Sequence, residues 1–476
     1  MLVLVTILYT VISVWLAIYS FNGLYLLWLY HRKKANRASP PTPEIWPTVT
    51  VQLPVYNEAA SITRLLTAIY ALDYPNYQLE IQILDDSTDE TTSIVQDFIT
   101  NHQPDGILIT HVHRKHRSGY KAGALAEGLL SAKGEFLAVF DADFIPPPNF
   151  LKKVMPWFVD KNLGCIQTRW GHLNRNDSIL TQLQALAIDA HFMVEQTVRS
   201  RNGYLMSFNG SAGIWRKTCI LDAGGWQAET LTEDFDLSYR AQLKGWRLDY
   251  LPDVVVPAEL PPVISVYKTQ QKRWARGSIQ TARKLLKPLI QSGFNGWVKF
   301  EGVLHLTHYL VHPLVLFLLL LSVWMRFTLT ETLQWLPWLT LTAIGPPLLY
   351  LTAAAPEAPD WKQRLKLIPA LLVFSIGISL NNALAVFVGL FGPMEGEFIR
   401  TPKFAGQDQL ISQKSKQNLN AIVWTELALA VFAFSSMVLA MINQNWGFVP
   451  WMFMYTAGYG GVVIMSLRLH QKTSFH

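Results

Sequence analysis

Residues 2–30 contain no charged side chain, and that run decides what kind of molecule this chain forms. About 20 apolar residues are enough to cross a bilayer as a helix. The run makes a poor secretory signal, because no basic stretch precedes it and no small-residue cleavage site follows it. It reads as a retained anchor over 1–36. Five further membrane-length apolar runs follow at 303–326, 333–354, 365–391, 420–442 and 446–468. Between them, residues 47–290 have ordinary globular composition. Only 16% of the 476 residues are charged and 50% are hydrophobic, the balance expected of one soluble domain joined to a membrane-embedded half.

Basic residues set the orientation. "HRKKANR" (31–37) directly follows the first run, so that end is expected on the cytosolic side. The soluble domain then faces the cytosol, and its two cysteines, Cys165 and Cys219, are expected as free thiols. The net charge of +6 is a topology signal with some attraction to anionic lipid, and nucleic acid is not an expected partner. If 365–391 crossed fully, the next segment, with Arg400, Lys403, Lys414 and Lys416, would lie outside, against the charge rule. The polar "SLNN" (379–382) in the same run suits a helix that is not freely lipid-exposed. The expectation is therefore five spans, an interfacial helix at 365–391, and an amphipathic interfacial segment at 286–302.

Within the soluble part, runs rich in β-branched residues alternate with helical patterns. Strands are expected at 48–56, 79–86, 106–113 and 135–144, with helices at 58–72 and 91–102. That alternation predicts an α/β fold with a mostly parallel sheet, whose ligands bind at the carboxyl ends of the strands. Polar clusters stand at those ends: "YNE" (56–58), "DDSTDE" (85–90), "HRKHRSGYKAG" (111–123) and "DADF" (141–144). Neither G-x-G-x-x-G nor a P-loop is present, which removes the common dinucleotide and NTPase readings.

Asp141 and Asp143 flank Ala142 directly after an apolar run. In an extended segment residues i and i+2 point the same way, so both carboxylates can meet one hard cation. A cation held by two carboxylates completes its shell with phosphate oxygens and water, which points to a nucleotide diphosphate. Of Asp85 and Asp86, one can receive a base or ribose while the other caps the helix from 89. Arg114, Lys115, Arg117 and Lys121, beside Gly119 and Gly123, can neutralise phosphate. In "LTEDFDLSYRAQLKGW" (231–246), Thr232 is a plausible N-cap, and Glu233, Asp234 and Asp236 crowd the first helical turn. The helix macrodipole alone accounts for any one of these acids. In "QQKRWARG" (270–277), Arg273 can pair with phosphate and Trp274 offers a flat face to a sugar ring.

Together "YNE", "DDS", "RSGYKAGAL", "DADF", "QTRWGHLN", "FNGSAGIWR", "TEDFD" and "QQKRW" resemble the family 2 glycosyltransferases, closest to their cellulose synthase-like, mannan synthase-like branch. The resemblance covers 47–285. It implies a GT-A fold and inverting transfer of a hexose from UDP-glucose or GDP-mannose to a β-linked polysaccharide, with export. It places Tyr56, Glu58, Asp85, Asp86, Lys121 and Arg273 on the donor and Asp141 and Asp143 on the metal, Mg²⁺ or Mn²⁺. Asp234 becomes the general base, and Glu233, Gln270 and Trp274 meet the acceptor. The segment 395–405, with Phe398, Arg400, Thr401 and Lys403, is similar to the gating loop of processive members. Phe144 departs from the pattern, since cellulose synthases carry histidine there. The partners implied are a nucleotide sugar, a polysaccharide or lipid acceptor and the bilayer, with a homo-oligomer or export partner left open; the membrane implied is the plasma (inner) membrane. Two rivals stand beside this reading: a non-processive glycolipid synthase, and a transporter with a nucleotide-sensing domain. The second expects charged residues deep in the spans, where His305, His308 and His312 are the main ionisable candidates.

Overall fold

A computed structural model describes residues 2–32, 40–102, 106–325, 343–354, 360–396, 400 and 421–474. Seven strands form one sheet: β1 Val49–Val55, β2 Leu79–Asp85, β3 Leu108–His113, β4 Phe136–Val139, β5 Leu163–His172, β6 Gly213–Arg216 and β7 Arg247–Ala258. Their order is β3-β2-β1-β4-β6-β5-β7. The pairs β3·β2, β2·β1, β1·β4 and β5·β7 are parallel, while β6 runs antiparallel to both of its neighbours.

Apolar residues on β1 and β2, including Val51, Leu53, Ile81 and Ile83, bury against helices Ile62–Tyr70 and Thr91–Asn101. The opposite face, with Leu137, Val139 and Trp215, packs on helices Tyr120–Ser131 and Glu233–Leu243. Each fully buried Leu, Ile or Val contributes roughly 1.5–3 kcal/mol of transfer free energy, which is what holds the layers together.

Two of the expected strands differ in detail. β3 has one neighbour only, so it is an exposed edge with Leu108 at 40% exposure, where a buried strand was expected. β4 ends at Val139, and Asp141–Phe144 closes as a turn in which the Phe144 amide donates to the Asp141 carbonyl at 3.1 Å. Asp141 and Asp143 therefore stand on a turn and not on an extended strand.

Among the described residues, three helices are long and apolar enough to cross a membrane: Val3–Arg32, Gly296–Ser322 and Ala421–Ile442. Trp361–Gly377 and Ser379–Phe391 form a fourth candidate bent by 45°, in the region expected to lie in the interface. The expected interfacial segment 286–302 comprises two helix ends. Helix Ile264–Gln291 stops, the chain turns at Ser292–Asn295, and helix Gly296–Thr307 begins with the Asn295 side chain accepting from the Val298 amide at 2.9 Å. Helix Ile264–Gln291 is the junction of the molecule. It packs on helix Glu233–Leu243 at one side and, through Ala275 and Ile279, on Ala385 and Val386 at the other.

Candidate active site

The carboxyl ends of β1, β2 and β3 stand level, Val55 opposite Asp85 and Asp85 opposite His113. The chain leaving β1, β2 and β4 opens into a single cleft, the place where sheets of this winding bind ligands.

One end of the cleft is built by Tyr56, Glu58, Asp86, Arg117 and Arg400. The Arg117 guanidinium lies 3.5 Å from the Tyr56 ring centre, and Arg114 clamps Asp86 through Nε at 2.6 Å and Nη2 at 2.5 Å. Arg400 grips Glu58 with Nη2 at 2.6 Å and Nε at 2.8 Å. Asp85, placed on the donor by resemblance, does not line the cleft. Its carboxylate accepts from the Ser87 amide at 2.8 Å and the Thr92 hydroxyl at 2.8 Å, and meets His111 Nε2 at 3.0 Å. Burial would raise it, yet those bonds, His111's first, hold Asp85 down at about 2. It ties the strand end to helix Thr91–Asn101 through the Thr92 side chain and does not cap it; Glu90 holds the N-cap place without a side-chain cap bond, so the expected capping role is not met.

The cleft floor carries the charges. Asp141 is half-buried and Asp143 buried. Lys121 Nζ pairs with Asp141 Oδ1 at 2.5 Å, donates to the Gly210 carbonyl at 2.8 Å and lies 3.9 Å from Glu233. Burial works against the Lys121 charge, but Asp141 and Glu233 keep its pKa above the usual lysine value. Arg273 also lines this region; burial pulls its pKa down against the fields of Glu233, Asp141, Asp234 and Asp143. Among the described residues no three His, Cys, Asp or Glu gather as a metal cage. The donor set nonetheless suits a divalent cation: two neighbouring hard carboxylates, with Asp141 keeping Oδ2 beyond its Lys121 bond, and cationic groups placed for phosphate oxygens.

Helix Glu233–Leu243 aims its first turn into the cleft. Thr232 occupies the N-cap place without capping; its hydroxyl meets Thr281 Oγ1 at 3.1 Å. Gly277 makes that approach possible, since a Cβ there would come within 2.6 Å of Thr232 Cγ2. Asp234 is half-buried, and its Oδ1 accepts from the Phe235 amide at 2.8 Å. Burial first, and the Glu233 carboxylate next, push its pKa up to about 7, against Lys121 and Arg273. Gly210, at φ 85°, makes room for it: a Cβ there would stand 2.8 Å from Asp234 Oδ2. Asp236 points elsewhere. It is fully buried, bonded to Arg240 Nε at 2.7 Å and paired with Lys284 Nζ at 2.9 Å.

Gln270 and Trp274 share the cleft with Arg273, because i, i+3 and i+4 fall on one helix face. Phe144, buried, packs edge-on to Trp170 at 5.2 Å. Phe398, Thr401 and Lys403 lie outside the described residues. Sequence reasoning assigned nothing to Asn209, Trp170 or His172, although all three stand in motifs already visible as "FNGSAGIWR" and "QTRWGHLN", and Arg114, expected on phosphate, is instead held by the Asp86 carboxylate.

Residues 47–277 match the family model described as glycosyltransferase like family 2. The chain is 38% identical over 252 residues to glucomannan 4-beta-mannosyltransferase 1 of Oryza sativa subsp. japonica, covering 52% of this chain and 48% of that protein. It is 40% identical over 252 residues to glucomannan 4-beta-mannosyltransferase 2 of Arabidopsis thaliana, covering 52% and 47%. The chain thus spans about half the length of the curated relatives it matches. Among solved structures, the Pyrobaculum calidifontis mannosyltransferase PcManGT, in complex with GDP-Man and Mn2+, superposes with a TM-score of 0.54 at 23% identity. That match covers 80% of this chain and 99% of that one, and it shows a common fold.

Proposed function

We propose that this chain, whose residues 47–277 form a family 2 glycosyltransferase domain, transfers mannosyl units from GDP-mannose to a β-1,4-linked mannan or glucomannan, with inversion. One observation carries the reading. A single cleft brings Asp234, with its pKa raised towards neutrality, to the same floor as Asp141, Asp143, Lys121 and Arg273.

Inversion by one in-line displacement needs a base for the acceptor hydroxyl and help for the departing diphosphate. Asp234 takes the hydroxyl proton on its carboxylate. Lys121 and Arg273 bind the diphosphate oxygens, and Lys121 exchanges part of its hold on Asp141 for phosphate. Asp141 and Asp143 would hold Mg²⁺ or Mn²⁺, which supplies charge neutralisation on the leaving group. Tyr56, Asp86 and Arg117 face the nucleoside, with Arg117 held flat on Tyr56. Gln270 and Trp274 meet the acceptor, Trp274 by its ring face. The Arg400–Glu58 pair supports a role for 395–405 in closing over the donor. The basic segment after the first helix supports a cytosolic position for the catalytic domain.

The test is transfer by full-length protein in nanodiscs, given labelled GDP-mannose or UDP-glucose with Mn²⁺ and split by chloroform–methanol extraction. Label from GDP-mannose in a high-mass, mannanase-digestible fraction is the expected result. Label confined to the organic phase would make the protein a glycolipid synthase and overturn the proposal.

A further inference from the structure

The cleft has a side that the roles above leave unused, formed by Trp170, Gly171, His172 and Ile188. His172 ends β5 and sits opposite Ala258 of β7, and Ala258 in turn bridges to Phe144 of the D-A-D-F turn. Two strand spacings separate His172 from that turn, roughly 10 Å, within reach of a sugar that approaches the diphosphate.

The ring is held from behind. His172 Nε2 meets Asp189 Oδ1 at 2.9 Å, and its side chain is only 3% exposed. With the Asp189 carboxylate facing Nε2, the neutral ring carries its proton there and Nδ1 is left as an acceptor. Among the described residues no protein group bonds to Nδ1. Asp189 is itself bound by Arg175 and, at 3.5 Å, by Arg364 of helix Trp361–Gly377. Burial would raise the Asp189 carboxyl, but the His172 and Arg175 contacts hold it below the usual range. Three groups around one carboxylate make a rigid support for a single imidazole, the arrangement that orients a ligand-binding histidine.

The side of the cleft identifies the ligand. Ile188 and Asp189 lie on helix Ile179–Ala190, whose Leu183 and Leu186 pack with Ala353 and Leu371 of the apolar C-terminal helices. The nucleoside end, at Tyr56 and Arg117, is elsewhere in the cleft, so the membrane-ward side is left for the acceptor.

Resting on the function proposed above, we infer that His172 hydrogen-bonds a hydroxyl of the acceptor saccharide through Nδ1, and that Asp189 is its positioning residue. Arg364 ties this contact to the C-terminal helices.

The experiment varies a β-1,4-mannooligosaccharide acceptor at saturating GDP-mannose and Mn²⁺ on full-length protein in nanodiscs. Hydrolysis of the donor by water is followed in the same samples. His172→Ala is expected to raise the acceptor KM about tenfold, the effect of one lost hydrogen bond, and to leave donor hydrolysis within about twofold. His172→Gln, which keeps a polar group, recovers part of the loss. Asp189→Asn shifts the acceptor KM in the same direction, and the double variant is no worse than His172→Ala alone. An unchanged acceptor KM in His172→Ala, or an equal fall in donor hydrolysis, overturns the inference while the proposed function stands. Wild-type protein that hydrolyses donor yet extends no saccharide overturns both.

Discussion

At the scale of single residues, Asp234 makes the sharpest prediction. If it is the base as proposed, a carboxyl that burial and Glu233 push up to about 7 is protonated below neutrality and competent above it. Transfer should therefore rise as pH increases through about 7, and Asp234→Asn should remove that limb while lowering kcat by about 10²–10⁴-fold. Near-normal turnover in Asp234→Asn, measured beside intact GDP-mannose binding, would remove it as the base. The sign for stability is opposite. An acid raised in the fold lends stability at low pH that is lost as pH climbs through its folded pKa. Gly210 is the companion case. Its φ of 85° disfavours any side chain by about 1 kcal/mol, and a Cβ would press on Asp234 Oδ2 at 2.8 Å. Gly210→Ala should shift the thermal midpoint little and depress kcat strongly; equal losses of both would mean the site depends on that glycine for folding and not for placing the base.

At the scale of elements, helix Glu233–Leu243 sorts three acids that look alike in the sequence. Successive residues turn by about 100°, so Asp236 lies roughly 200° from Asp234 and faces away from the cleft. It is buried between Arg240 and Lys284, and losing one member of such a pair costs roughly 3–5 kcal/mol. Asp236→Asn should lower the thermal midpoint clearly and leave the pH limb of the surviving enzyme in place; a vanished limb with unchanged stability would reassign the base to Asp236. The same geometry explains what the sequence reveals and what it hides. Strand ends are legible because β-branched runs stop at polar clusters, and those clusters do meet in the cleft. Which of two adjacent acids faces inward is not legible. Asp85 and Asp86 alternate across the strand, and only the position of Thr92 and His111 decides that Asp85 turns to the helix. His172 escaped notice for a related reason, since its partner Asp189 is distant in sequence and nothing local signals their meeting.

At the scale of the whole molecule, the sheet domain meets the apolar helices through apolar packing, as at Ala275 and Ile279 against Ala385 and Val386, and through buried polar bonds beside it. Lys268, two residues before Gln270, places Nζ 2.7 Å from Glu426 of helix Ala421–Ile442, and its carbonyl accepts from the Asn381 amide at 3.0 Å. Glu426 is fully buried and Lys268 11% exposed, so neither charge has water to fall back on. This pair fixes the helix that carries Gln270, Arg273 and Trp274 relative to the helix that follows residues 401–420. Glu426→Ala strands the Lys268 charge at a cost of roughly 3–5 kcal/mol, while the paired change Lys268→Met with Glu426→Leu removes both charges and should be nearly neutral. If the pair acts by holding the two helices together, the single variant loses thermal stability and transfer together, and the double variant regains both, because apolar packing can replace the ion pair as a clamp. A double variant that is as stable as wild type but does not transfer would show that the charges themselves take part in turnover, and the mechanical account of the junction would have to be given up.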